Sequence, residues 1–205
     1  MRRGAGARDA SRAALLDAAE RLLARFGYAK VTMEDVAREA GRARRTAYLH
    51  FATKEDVVLG TIDRVIERVA ESLRAIAKGP GSAPARLERM LVARVLVRAD
   101  SVRQYGAALD QVFAAVRPRF LERRKAYFEA ETQVFAGVLR QGQADGQLRP
   151  GRVRALAECL LTATNALLPH GLSRGDLADR GRTARMARDV ARLLIAGLQN
   201  PRNGV

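Results

Sequence analysis

Apolar side chains recur at every third or fourth position along most of this chain, and no stretch alternates apolar with polar residues as a half-buried strand does. A period near 3.6 puts those side chains on one face of a helix, and a chain built only of such helices must bury them against one another. Residues 11–26 are the first clear case. Leu15, Ala18, Ala19, Leu22, Leu23 and Phe26 share a face, and Gly27 follows where a helix commonly stops. The pattern predicts an all-α fold.

Polar and glycine residues cut the remainder into segments. Thr32 is a good N-cap for a short helix over 33–40, with Glu34 and Asp35 placing negative charge in its first turn and Gly41 closing it. A third short helix is predicted over 43–51, and Thr53 caps a long one reaching residue 77. KGPGSAP, residues 78–84, is the clearest break. Beyond it, helices are predicted at 84–99, 102–115, 118–142, 152–168 and 183–198. They are separated by Asp100-Ser101, by Pro118, by ADGQLRPG at 144–151 and by a Gly-rich stretch at 169–182. Residues 1–10 are expected to be disordered.

The 205 residues suffice to bury a core without disulfides or metal. A net charge of +15 favours polyanionic partners, nucleic acid or an acidic membrane surface. The basic residues run the whole length of the chain, however, and an excess of Arg over Lys also follows from genome base composition. The charge points to a partner only where it is localised. Cys159 is the single cysteine, so no internal disulfide can form; a reducing compartment is expected, with the thiol read as a small core residue. The basic, partly apolar start resembles a signal peptide superficially, but Asp17, Glu20 and Arg21 interrupt it and no apolar run approaches a membrane span. The expected location is the cytoplasm, with no membrane partner. No cofactor or metal motif is present.

Charge becomes local in the third helix. Three short helices with tight glycine-containing turns form a helix-turn-helix unit, whose third helix can enter the DNA major groove. Arg42, Arg44 and Arg45 sit at the start of that helix, with Arg38 just upstream and Glu39 as the local offset. Thr46, Tyr48 and His50 add donors of the kind that contact phosphate oxygens. Lys54 lies on the first turn of the next helix, where free backbone N–H groups attract anions. Ala47 and Phe51, four apart, can face the domain core.

The stretch VTMEDVAREAGRARRTAYLHFATKEDVV, residues 31–58, resembles the DNA-binding domain of the TetR family. Its members typically read T-x-x-x-I-A-x-x-A-G-V-S-x-G-T-L-Y-x-Y/H-F-x-x-K-x-x-L. Thr32, Val36, Ala37, Ala40, Gly41, Thr46, Tyr48, His50, Phe51, Lys54 and Val57 or Val58 fall on that pattern. Ala43 stands where a Ser or Thr cap is frequent, Arg45 where Gly or Pro is, and Ala47 where a larger aliphatic is. The resemblance implies that Thr32, Thr46, Tyr48, His50 and Lys54 hold DNA phosphates while Arg44 and Arg45 face base edges; Arg42 is read as a solvated turn residue beside them. It also implies a layout: a DNA-binding domain over 1–58, and a larger helical domain over 59–205 that pairs two chains and holds a small-molecule effector of unknown identity. The implied activity is that of a transcriptional regulator, a repressor on a palindromic double-stranded operator, and not an enzyme.

Within the second region, Val153, Leu156, Leu160, Thr164 and Leu167 form one stripe and Ala187, Val190, Leu194 and Leu198 another. Two such helices from each of two chains can make a four-helix homodimer interface; alternatively the stripes fill the core of one protomer. The helix after Pro118 offers a pocket wall: Leu121, Phe128, Phe135 and Leu139, with Glu131 on the same face. Glu131 is read either as the anchor of a cationic effector or, preferentially, as a core-edge carboxylate paired with arginine. Tyr105, Phe113 and Asn165 are further pocket candidates.

Two other readings remain open. Gly171-Leu172-Ser173-Arg174-Gly175 matches a serine-hydrolase elbow with His170 beside it, but the elbow needs a preceding strand, and here a helix and Pro169 precede it. A nonspecific or architectural DNA-binding protein also fits the charge; salt separates it from a specific regulator, because phosphate-only binding falls steeply with salt and ignores sequence.

Overall fold

A computed structural model describes residues 2–200, with side chains from residue 6 onward except at positions 106 and 107. Its helices are α1 (Arg2–Phe26), α2 (Met33–Glu39), α3 (Arg44–His50), α4 (Lys54–Lys78), α5 (Ala83–Val102), α6 (Leu109–Ala144), α7 (Val153–Ala163), α8 (Arg174–Ala178) and α9 (Arg180–Ala196). Short 3-10 helices occupy Arg103–Ala108 and Asn165–Leu167. No strand forms among the described residues, and Leu148 and Gln199 make only an isolated bridge. The all-α reading holds. No helix among the described residues is long and apolar enough to cross a membrane.

The chain divides into two compact units. One comprises residues 1–64 and 104–122, the other residues 65–103 and 123–205. In the first, Leu15, Leu16, Ala18, Ala19 and Leu23 of α1 are buried with Val36 and Ala37 of α2, Ala47 of α3, and Val57, Val58 and Leu59 of α4. Phe26, expected on the buried face of α1, lies exposed at the last turn. At Gly60 α4 passes close to α1 and to the end of α3: an added Cβ would sit 2.9 Å from Leu16 Cδ2 and 3.0 Å from Phe51 Cε1. In the second unit, Val69 and Leu73 of α4 pack with Leu87, Met90 and Leu91 of α5, Phe135 and Leu139 of α6, Leu160 and Leu161 of α7, and Ala191 and Ile195 of α9.

Three boundaries differ from expectation. α1 begins at Arg2, where disorder was expected. The predicted pair 102–115 and 118–142 is one 36-residue helix preceded by a 3-10 turn, with Pro118 inside it. An internal proline costs ~3 kcal/mol through a lost hydrogen bond and a clash with the carbonyl four residues back. Pro118 and Ala114 are both exposed, so water can serve that carbonyl, while buried Leu109, Val112 and Val116 hold the preceding turns. The stretch 169–182, read as Gly-rich punctuation, contains α8 and the start of α9. Ser173 and Asp176 form a reciprocal capping box on α8, with Ser173 Oγ donating to Asp176 Oδ2 at 2.6 Å. Ser173 is a helix cap, not a nucleophile on a strand-to-helix elbow.

Candidate nucleic-acid interface

The geometry of α2 and α3 follows from three local devices. The first is the Thr32 N-cap: its Oγ1 accepts from Asp35 N at 3.2 Å, while Asp35 Oδ2 accepts from Thr32 N at 3.1 Å. That hydroxyl and amide hold the Asp35 carboxyl below its ordinary pKa. The second is the turn after α2. Gly41 takes φ +62°, with Gly41 N–H donating to Arg38 O at 3.1 Å and Arg42 N–H to Ala37 O at 2.9 Å. This is the Schellman arrangement, and it requires a residue at ease with positive φ. The third is the Thr53–Asp56 box that opens α4, Asp56 N donating to Thr53 Oγ1 at 3.1 Å and Thr53 N to Asp56 Oδ2 at 3.0 Å.

Between those fixed points α3 has two faces. Ala47 is fully buried and Phe51, its C-cap residue, nearly so, as their spacing predicts. Arg44, Arg45, Tyr48 and Leu49 are exposed, the face produced by i, i+1, i+4 and i+5 on a helix. Thr46 and His50 are half-buried at its edges. Ala43, at the N-cap, supplies no side-chain bond, so the first turn of α3 is held by Thr46 N–H donating to Ala43 O at 2.9 Å.

The charge of this face is more structured than its sequence suggests. Arg44 pairs with Glu34 at 2.8 Å and lies over the Tyr48 ring, 5.5 Å from its centroid. Arg38 pairs with Asp35, and Arg21 with Glu39 at 2.8 Å. Three carboxylates thus answer arginines where one offset was expected. Arg42 and Arg45 are exposed and make no ion pair among the described residues. Lys54 is turned inward: Nζ donates to Tyr28 O at 2.9 Å and Val31 O at 3.0 Å and sits 3.9 Å from the Tyr28 ring centroid. Tyr28 in turn donates to Glu55, and burial, then that carboxylate, pushes its phenol pKa up. Burial lowers the pKa of His50, and the Arg8 and Arg12 guanidiniums lower it further.

Sequence reasoning missed two residues here. Glu34 was read only as first-turn charge, and nothing in a ten-residue separation announces its bond to Arg44. Leu49, 68% exposed, is a large apolar side chain on the free face of α3; the helical period places it four after Arg45, so that signal was available.

The candidates in the second half of the chain separate. Tyr105 and Phe113 belong to the first unit. Tyr105 is buried there, and burial, then the Glu20 carboxylate, pushes its phenol pKa up to about 12. Phe113 packs edge-on against Phe120, with ring centroids 6.3 Å apart. Phe128, Glu131, Phe135 and Asn165 belong to the second unit; Phe135 is wholly buried core and Phe128 packs against that core. Glu131 is engaged by two arginines. It accepts from Arg94 Nε at 2.7 Å and from Arg98 Nη2, and burial, which raises its pKa, is overcome by those two charges.

The stripes expected at a dimer interface mostly fill the protomer. Leu160, Thr164 and Leu167 are buried, Leu156, Leu194 and Leu198 pack on the main core, and Val190 on a smaller cluster with Val95 and Leu168. The exposed faces of these helices carry Leu193, 76% exposed, and Cys159, which is a surface thiol and not a core residue.

The family model described as "Bacterial regulatory proteins, tetR family" matches residues 15–60, the span that holds α2, α3 and their supports. Residues 15–60 carry a tetR-family domain. A curated relative, the HTH-type transcriptional regulator EthR of Mycobacterium tuberculosis, is 37% identical over 67 residues, 33% of this chain and 31% of that protein. The chain therefore matches about a third of that relative's length. A transcriptional regulator from Cytophaga hutchinsonii has the same fold over 91% of this chain and 97% of its own, with TM-score 0.74 and 20% identity. SmeT of Stenotrophomonas maltophilia, solved in complex with triclosan, covers 94% of this chain and 93% of its own, with TM-score 0.68 and 22% identity. At those identities the likeness shows the fold alone, over 91% and 94% of this chain.

Proposed function

We propose that this chain is a sequence-specific DNA-binding transcriptional regulator, a homodimeric repressor released from a palindromic operator by a small molecule. One observation carries the reading. α3 is seated by Ala47 and Phe51 and presents Arg44, Arg45, Tyr48 and Leu49 outward on one face. The major groove admits a helix with such a face. In this reading Arg44 and Arg45 address base edges, where a guanidinium donates twice to guanine O6 and N7, and Leu49 suits a thymine methyl. Thr32, Arg42, Thr46, Tyr48 and His50 contact phosphates. Lys54 contributes mainly by tying the loop after α1 to α4, with one N–H left for a phosphate.

The DNA-binding role is assigned to residues 1–58, and effector binding and dimerisation to 59–205. α4 spans that division as one unbroken helix, which supports mechanical coupling. An effector acts by favouring a dimer whose recognition helices no longer match successive grooves. SmeT, a repressor that forms a triclosan complex, supports relief by a small molecule. Crosslinking α4 to its neighbours abolishes the effector response in this mechanism; an intact response excludes it.

The direct test is a gel shift with DNA from upstream of the protein's own gene against scrambled DNA, at about 0.15 M salt. Selection from random DNA supplies the operator if it lies elsewhere. A selective shift with a two-fold footprint is expected. Equal binding to all sequences, lost steeply with salt, would instead favour the nonspecific reading that unpaired Arg42 and Arg45 keep in play.

A further inference from the structure

The second unit encloses an unbalanced charge. Arg94 and Arg98, one turn apart on α5, both bind the Glu131 carboxylate of α6. The side chains of Arg94 and Glu131 are each 3% exposed, and that of Arg98 is 10% exposed. Arg94 also donates to Thr164 Oγ1 at 2.8 Å, Leu161 O at 3.2 Å and Asn165 Oδ1 at 2.8 Å. Arg98 donates its second Nη to Arg94 O at 3.0 Å. These neutral acceptors satisfy hydrogen bonds without cancelling charge. Among the described residues two guanidiniums face one carboxylate, and one positive charge is left over. Arg124, exposed on α6, adds to the imbalance: its field and that of Arg98 act with burial to disfavour charge on Arg94.

An uncompensated buried ion carries a desolvation penalty of several kcal/mol, which a single shared carboxylate does not return. The arrangement is the reverse of a cation site. Arg98, with a side chain 10% exposed, and half-buried Asn165 are the least buried members of the cluster and form its margin toward solvent. A planar guanidinium is best matched by a planar, two-oxygen anion. We propose that the Arg94–Arg98–Glu131 cluster is the polar end of the effector site and selects an anionic small molecule bearing a carboxylate. This inference deepens the effector reading above and rests on it for the consequence at DNA, but not for the binding itself.

The test uses the full chain without DNA. Thermal unfolding and calorimetric titration are run with octanoate and benzoate, with octylammonium and 1-octanol as charge controls, and with sodium chloride at matched ionic strength. Octanoate or benzoate is expected to raise Tm while the cation, the alcohol and the salt do not. Arg98→Gln removes the excess charge but leaves Glu131 bonded to Arg94, so the variant folds with an unchanged or higher Tm and loses anion affinity by about tenfold. Arg124→Gln, a surface change that leaves Tm alone, weakens it by about twofold to threefold. Glu131→Gln acts in the opposite sense: it lowers Tm and increases the stabilisation the anion provides.

A purely structural ion network gives a different pattern: Arg98→Gln is destabilising and no probe distinguishes the variants. Equal shifts with octanoate and octylammonium, a shift reproduced by chloride, no shift with either carboxylate, or a response unchanged in both arginine variants would each overturn the proposal. Because binding is read on the protein alone, failure here leaves the gel-shift result standing, and failure of the gel shift leaves this one standing.

Discussion

Arg44 and Arg94 carry the same side chain under opposite conditions. Arg44 is 69% exposed, held by one carboxylate and one aromatic face. Arg94 is 3% exposed and spends its donors on Glu131, Thr164, Leu161 and Asn165. In water the Arg44–Glu34 attraction is worth at most ~1 kcal/mol, so a phosphate or guanine can displace Glu34 at little cost. In the interior, removing a partner from Arg94 strands a charge. The exposed arginine of α3 is therefore exchangeable, and the interior arginines are fixed parts of a framework.

The strongest way to break that contrast is Glu131→Ala. Stranding two buried guanidiniums should cost about 3–5 kcal/mol, read as a lower midpoint in urea or heat. A loss below ~1 kcal/mol would show that water reaches the cluster and that Arg94 is no more fixed than Arg44. Next comes Gly60→Ala, whose added Cβ lies 2.9 Å from Leu16 Cδ2 and 3.0 Å from Phe51. Overpacking there should cost about 1–3 kcal/mol of stability and disturb the C-cap on which α3 rests. Comparable stability in wild type and variant would mean that α4 moves aside freely. Arg45→Ala should behave as an exposed residue: stability within ~0.5 kcal/mol of wild type, but about 1–3 kcal/mol of operator affinity lost, with relaxed preference at one base pair. If affinity for all sequences fell equally and the salt slope dropped, Arg45 would be a phosphate contact.

How much was legible from sequence differs between the two settings for a physical reason. The helix-turn-helix unit is made of local rules: the Thr32 cap, the positive-φ Gly41, and Ala47 and Phe51 four apart. Each spans a few residues and leaves its mark in their order. The interior cluster is made of residues 94, 98, 131, 164 and 165, whose meeting no local pattern encodes. Glu131 was seen as a carboxylate on an apolar face, and pairing with arginine was preferred, yet which arginines and how many decides the sign of the site. Helix stripes were equally ambiguous. Leu160 and Leu167 have the spacing of an interface, and only packing against α5, α6 and α9 shows that they serve the core. Pro118 misled because its penalty was read without the burial on its N-terminal side, and α8 was missed because Gly171 and Gly175 outweighed the Ser173–Asp176 box beside them.

The smallest expected effect concerns His50, which stands between the two settings: half-buried, yet at the edge of the exposed face of α3. Burial and the Arg8 and Arg12 guanidiniums depress its pKa below the ordinary 6.5, with Asp9 opposing. In the free protein the unfolded chain takes up the proton first, so His50 contributes stability above pH 6.5 that is lost as pH falls through the window between 6.5 and its folded value. A DNA phosphate against the ring reverses the preference, since an adjacent anion favours imidazolium. Operator binding should then take up a proton, and affinity should rise with falling pH over the window in which stability falls. His50→Gln should flatten both slopes, each by less than ~1 kcal/mol per pH unit. Urea midpoints and gel shifts between pH 5.5 and 7.5 at fixed salt measure the two separately. Opposed slopes in wild type, both flat in the variant, place His50 against a phosphate. Slopes of the same sign would leave it a buried ring with no part in holding DNA.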